Sequence, residues 1–180
     1  MSIHGGTYVS PEPSRDILDR GVDRPFRPLP VGFTIRPLQA GAELSELNWV
    51  RKAWKLGNRR FKKDVNAKAY TIGMDKLIGH LGLTQRILVL ALPTGVPGRD
   101  EILGFICYRQ MQPDDPAIVV HYLCIKGEYR RNGAATLLLD AAGWKPGMPI
   151  VGTSKSHLPA TIKHKWNVYF NDFFLYAGCA

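Results

Sequence analysis

Cysteine is scarce and unpaired in this chain. Its three copies, Cys107, Cys124 and Cys179, form no Cys-x-x-Cys pair and no spacing with histidine that would hold a metal. A disulfide framework and a cysteine-built metal site are therefore not expected, and buried free thiols are. Long apolar runs are missing too: none approaches the roughly 18 residues that a membrane-spanning helix needs. Met1 to Ser10 lacks the charged and apolar regions of a signal peptide. The expectation is a soluble, cytoplasmic protein that does not engage membranes. Acidic residues vanish between Arg51 and Lys63, where Arg51, Lys52, Lys55, Arg59, Arg60, Lys62 and Lys63 stand unopposed. Internal repeats and low-complexity tracts are also absent.

What is present is enough apolar sequence for one real core. With 180 residues, 45% of them hydrophobic, a single domain is expected and two would be crowded. The net charge of +9 is concentrated in the basic block just named. That block suits phosphates on a nucleic acid or another acidic partner, or it is a solvated helix face followed by a basic loop.

Residues 1–30 carry Pro11, Pro13, Pro25, Pro28 and Pro30 and no sustained apolar period, which predicts an extended N-terminal arm. The domain proper is expected over 31–180. A first strand is predicted over Val31–Leu38. A helix follows over Glu43–Leu56, with Leu47, Val50 and Trp54 on one face and Gly57 at its end. A second helix over Ala67–Leu81 aligns Tyr70, Met74, Leu77, Ile78 and Leu81. Three strands follow, over Ile87–Leu92, Glu101–Gln110 and Ala117–Lys126, separated by turn-rich loops. A helix at 133–142, a strand at Pro149–Thr153, a final helix at Ala160–Asn171 and a last strand at Phe173–Tyr176 complete the order. The fold class is α/β of the α+β kind, a mixed and mostly antiparallel central sheet with helices on both faces.

The segment Ile118–Gly143 carries the most chemistry. It reads as a buried strand, a tight turn with Arg130, Arg131, Asn132 and Gly133, and a helix that starts on small residues. Free amides at the helix start (Gly133, Ala134, Ala135, Thr136) would meet an anion where the helix dipole favours negative charge. Small side chains let a diphosphate approach the backbone, and the two arginines add charge beside it.

Arg130-Arg-Asn-Gly-Ala-Ala135 resembles the Arg/Gln-x-x-Gly-x-Gly/Ala signature of the GCN5-related N-acetyltransferases (GNAT), and the flanking strand and helix sit where that family has its fourth strand and third helix. The element order from Val31 to Tyr176 is similar as well. A looser likeness runs to acetyltransferase-like proteins of phages and prophages, through His121-Tyr-Leu-Cys-Ile-Lys126 and Tyr129-Arg-Arg-Asn-Gly133. The resemblance implies acetyl-CoA as cofactor, with its pyrophosphate on the amides of Arg131 to Ala135. It also implies a pantetheine arm paired with the backbone of Leu123, Cys124 and Ile125, where the fourth strand splays from the fifth at a bulge. The implied reaction is direct attack of an amine on the thioester, with a base to take the amine proton and an acid for the leaving thiolate.

For the acid, the resemblance points to Tyr169, then Tyr176. For the base, His121 and Glu128 are the nearby titratable groups, and histidine has its pKa naturally near neutrality. His121 and Tyr122 also fit as packing residues of a buried strand, and Glu128 as a flank of the phosphate loop. Two departures stand out. Ala135 replaces a commoner glycine, and the chain stops where relatives usually add a seventh strand, for which the expectation is a short open edge, a strand from a partner, or cover by the N-terminal arm. The aromatic stretch Trp166–Tyr176 suits core packing or a homodimer interface.

Two functions follow. The first is an N-acetyltransferase whose amine acceptor carries negative charge, such as a nucleic acid, an aminoacylated tRNA or an acidic protein, met by Arg59, Arg60, Tyr70 and Tyr122. Trp49, Trp54 and Phe61 are interleaved with the basic block and could stack on bases, although helical spacing favours Trp54 as core. The second is an inactive GNAT-like module that binds nucleic acid or a partner protein through its basic face.

Overall fold

The computed structural model describes residues 27–38, 44–57, 67–84, 86–96, 100–111, 116–153, 164–172 and 174. The strands are β1 (Thr34–Pro37), β2 (Arg86–Leu92), β3 (Glu101–Gln110), β4 (Ile118–Ile125), β5 (Ile150–Gly152) and β6 (Val168–Phe170). The helices are α1 (Leu44–Gly57), α2 (Ala67–Thr84) and α3 (Ala134–Ala141). All six strands form one sheet in the order β1-β2-β3-β4-β5-β6. The first three pairings are antiparallel, and β4–β5 and β5–β6 are parallel.

Strict alternation along β2 explains how the sheet is covered on both sides. Ile87, Val89 and Ala91 pack with Trp49, Val50, Ala53 and Trp54 of α1 and with Met74, Ile78 and Leu81 of α2. Leu88, Leu90 and Leu92 pack with Ala134, Leu138 and Leu139 of α3. A strand buried on both faces must be apolar throughout, and Ile-Leu-Val-Leu-Ala-Leu is. The expected fold class therefore holds, helices on both faces included. Trp49 and Trp54 lie in the core, which removes both as base-stacking surface.

Two irregularities interrupt the ladders. Leu90 pairs with Gly104 and Ala91 with Ile102, so Leu103 is an extra residue in β3. Cys107 pairs with Tyr122 and Tyr108 with Val120, so His121 is an extra residue in β4. Gly104 lies close against β4: a Cβ there would sit 2.7 Å from the Cys124 carbonyl oxygen and 2.6 Å from Ile125 Cδ1. Only glycine permits that approach. One ionic cluster ties the first elements together, where Arg36 of β1 bonds the carboxylates of Glu46 on α1 and Asp100 before β3. The hydrogen bond to Glu46, chiefly, raises the pKa of the Arg36 guanidinium.

The C-terminal expectations need correction. Residues 168–170, placed by periodicity in a final helix over Ala160–Asn171, form β6. The helical turn at His164–Lys165 stops at Asn167, whose φ of 51° is left-handed. Val-Tyr-Phe then favours a strand, being β-branched and aromatic. The last strand expected over Phe173–Tyr176 does not hold at Phe174, which is helical, and its other positions lie outside the described residues. At the other end Val31 and Gly32 form a turn, and β1 starts only at Thr34. Trp166 and Val168 do pack into the α3-side core, with Trp166 edge-on to Trp144 at 6.5 Å.

Candidate active site

The bulge in β4 marks where that strand leaves β5. Pairing between them covers only Ile118–Val120 against Ile150–Gly152, and the Thr153 amide donates the last bond, to the Val120 carbonyl at 3.2 Å. Beyond it, β4 continues to Ile125 with β3 along one side. The Lys126 amide donates to the Leu103 carbonyl, so Lys126 faces β3. Counting back by twos, Cys124 and Tyr122 face β3, while Leu123 and Ile125 turn their peptide groups to the opposite edge. That edge is a fork between β4 and β5, and Leu123 presents an N–H and a C=O to it.

The chain then folds back through a single 3-10 turn at Gly127–Tyr129 and enters α3. Arg131 and Gly133 take left-handed φ values of 61° and 87°, which lets the loop reverse tightly. The first bond of α3 runs from the Leu137 amide to the Gly133 carbonyl, so the amides of Ala135 and Thr136 point out of the helix start. The Ala134 amide, expected among them, instead donates to Asn132 Oδ1 at 3.3 Å. Arg130 is also partly committed, since its Nε donates to the Ile125 carbonyl at 3.0 Å. A Cβ on Gly133 would meet nothing within 4 Å, so the space beside the turn is open among the described residues. The helix start thus follows closely in the chain on the part of β4 that no strand pairs on its β5 side among the described residues.

His121 sits at the apex of the fork and is 1% exposed. Its Nδ1 lies 3.3 Å from the Thr153 hydroxyl, and its Nε2 is buried with no hydrogen-bond partner among the described residues. Burial, with the positive charge of Arg109 adding to it, lowers its pKa to about 4. The ring is neutral at physiological pH and can accept a proton. Tyr122 is next in the chain, stacked on Trp54 at 5.0 Å and on Phe105 at 5.6 Å, its hydroxyl donating to the Ala53 carbonyl at 3.4 Å. Cys124 and Cys107 are buried free thiols whose pKa values burial pushes up to about 11 and about 12. Neither supplies a thiolate nucleophile near neutrality. No metal-holding cluster occurs among the described residues.

The remaining expected residues scatter. Glu128 lies on the 3-10 turn, 3.8 Å from the Arg27 guanidinium, and faces the arm. Tyr169 is in register with Val151 on β6, one strand beyond β5, and is 59% exposed. Its expected place on a helix beside the thioester is lost with that helix. Arg59, Arg60, Phe61 and Tyr176 lie outside the described residues, and Tyr70 belongs to α2 by its backbone. Sequence reasoning missed Thr153, which no motif flags, and Arg27, whose only signal was its setting among prolines.

A strand that parts from its neighbour thus runs through one short turn into a helix whose first amides point outward. The acetyltransferase (GNAT) family model matches residues 68–142, from α2 to just past α3. No protein of curated function matches the chain. Among solved structures, a Pyrococcus furiosus protein named for acetyl transfer is similar at 19% identity and a TM-score of 0.42, over 73% of this chain and 89% of that one. The enzyme AAC(6')-Iy, in complex with the bisubstrate analogue CoA-S-monomethyl-acetylneamine, is similar at 13% identity and a TM-score of 0.37, over 74% and 85%. A Desulfovibrio desulfuricans protein assigned to the GNAT acetyltransferases follows at 10% identity and a TM-score of 0.38; 61% of this chain is covered and spans 62% of that one. No helix among the described residues is long and apolar enough to cross a membrane.

Proposed function

We propose that this protein is an N-acetyltransferase that moves an acetyl group from acetyl-CoA to an amine on a negatively charged acceptor. The observation that carries this reading is the continuity of the open β4 edge with the α3 start. One bound molecule can pair with Leu123 in the fork and rest its diphosphate on the amides of Ala135 and Thr136. Gly133 keeps the approach clear of side chains, and Arg130 and Arg131 add charge beside it.

The thioester then lies near the bulge. The amine nitrogen attacks its carbonyl carbon, the C–S bond breaks, and the thiolate leaves with a proton. His121 is the base in this reading, because its buried imidazole is neutral in the neutral range and its Nε2 has no hydrogen-bond partner among the described residues. Thr153 fixes the ring through Nδ1. When Nδ1–H donates to the hydroxyl oxygen, Nε2 carries the lone pair. Tyr122, braced between Trp54 and Phe105, forms a firm wall beside it. Tyr169 lies on β6 with β5 between it and β4, and in this reading the thiolate takes its proton from solvent.

The anionic acceptor rests on the basic sequence from Arg51 to Lys63, with Arg59 and Arg60 as its contacts and Tyr70 on the adjoining helix. Nucleic acid and tRNA-linked amines are the acceptor classes that such charge favours.

Thermal melting with acetyl-CoA tests the first step. Ligand at a hundredfold excess over its Kd adds about 2.7 kcal/mol, which raises Tm by roughly 5 °C or more in a chain of this size. Gly133→Val should abolish the rise, since a Cβ substituent would occupy the approach in a left-handed backbone. A flat melting curve with acetyl-CoA would sink the reading. A radiolabel screen then ranks acceptors, and preference for spermidine over tRNA, DNA and acidic proteins would refute the anionic acceptor.

A further inference from the structure

The segment ahead of β1 does more than lead into the sheet. The Arg27 amide donates to the Glu128 carbonyl at 2.7 Å, and the Arg27 carbonyl accepts from Asn132 Nδ2 at 2.9 Å. One residue of the arm thus bonds both ends of the loop between β4 and α3. Asn132 joins the two structures physically, because its Oδ1 also accepts from the Ala134 amide at the helix start. Leu29 and Phe33 anchor the segment in the α3-side core, so its position over the loop is fixed from behind. The Arg27 side chain is 68% exposed, with its Nε 3.8 Å from the Glu128 carboxylate. It also comes within hydrogen-bonding reach of the Tyr129 side chain.

Two features set this apart from ordinary packing. The loop it grips contains Arg131, a non-glycine residue at a φ of 61°, a conformation that persists only where its surroundings impose it. The grip is also made by backbone groups and an amide. It therefore leaves the guanidinium of Arg27 beside the loop, able to turn from Glu128 to a stronger anion.

We propose that Arg27 and its neighbours form a strap across the anion loop, with Arg27 contacting a cofactor phosphate and Asn132 the pin that couples the strap to the helix start. The proposal rests on the reading of this loop as an acyl-CoA phosphate site. The phosphate is either the diphosphate or the 3′-phosphate of CoA, since both are anions within the reach of a long side chain. The strap holds the loop in its binding shape before ligand arrives, and ligand in turn tightens the strap.

Calorimetric titration of the full chain with CoA and with 3′-dephospho-CoA tests this. In Arg27→Ala the exposed cation is lost and the backbone grip is kept; CoA affinity should fall about three- to tenfold, as for one partly screened charge contact. In Arg27→Pro the amide donor to Glu128 is lost as well, and affinity should fall further. A loss shared by both ligands assigns the contact to the diphosphate; a loss with CoA alone assigns it to the 3′-phosphate. Hydrogen exchange of the unmodified protein supplies a readout that does not depend on the variants folding. CoA should slow exchange in the peptide that contains the Arg27 amide. If the unmodified protein binds CoA while Arg27→Ala binds it equally well and that peptide exchanges at an unchanged rate, the strap is wrong and the acetyltransferase reading stands. If the unmodified protein binds no CoA, both fall.

Discussion

Removing the buried imidazole should flatten part of the acid sensitivity of this fold. His121 is neutral in the native state with a pKa lowered to about 4, against an ordinary value of 6.5 when the chain unfolds. Below pH 6.5 the unfolded chain binds a proton that the native one refuses, so stability from this group is present above that value and is lost as pH falls toward 4. Integrated over the two titrations, the loss is about 2 kcal/mol by pH 5 and about 3 kcal/mol by pH 4. That is a large share of a domain stability of about 5–15 kcal/mol. His121→Gln keeps a polar group able to meet the Thr153 hydroxyl but has nothing to titrate. Urea denaturation of both proteins at pH 7, 5.5 and 4.5 measures the difference. The stability gap between variant and parent should move in the variant's favour by about 1 kcal/mol between pH 7 and pH 5.5 and by about 2 kcal/mol between pH 7 and pH 4.5. Parallel curves would show that the imidazole is already solvated or charged in the native state, and the argument for a neutral base would fail with them. In activity the same group should keep kcat/KM from falling on the acid side until well below pH 6, and His121→Gln should lose about a hundredfold or more.

The other expectations concern the frame around the site. Gly104→Ala should cost about 1–3 kcal/mol in chemical denaturation, because the new methyl meets a backbone oxygen of β4 that cannot move aside without distorting the strand. An unchanged midpoint would mean that β3 and β4 are less closely apposed than described. Glu46→Ala should cost about 3 kcal/mol or more, since it strands the Arg36 guanidinium beside Asp100 alone; Arg36→Met together with Glu46→Leu should recover much of that loss. A double variant no more stable than Glu46→Ala would argue against an ion pair that trades evenly with apolar packing.

Most of the sheet and helix order was legible because its patterning is strong. The continuous apolar run of β2, the helical spacing through Trp54 and the stripe Met74–Ile78–Leu81 each admit one period. The turn into α3 was legible for a local reason, as Asn-Gly favours a tight turn and the small and leucine-rich residues after it favour a helix. The C-terminal stretch misled because Trp166 and Phe170 also fit a helical period, and only Asn167 breaks the turn. Thr153 was invisible since its importance comes from where β5 ends, a tertiary fact. The bonds of the Asn132 carboxamide to Ala134 and Arg27 were not legible either. No spacing rule encodes which partner an asparagine chooses.

The single extra residue in β4 has a consequence for how this chain can be altered. Before the bulge Ile118 and Val120 face α3; after it Leu123 and Ile125 do, while Tyr122 and Cys124 face α1 and α2. Delete His121 and the inward and outward order of every other residue in the strand is preserved without a gap. The candidate base is therefore an addition to an otherwise regular strand, and the core on either side does not depend on it. Loss of this one residue would remove the bulge, and the parting of β4 from β5 with it, while the two faces of the strand keep their order.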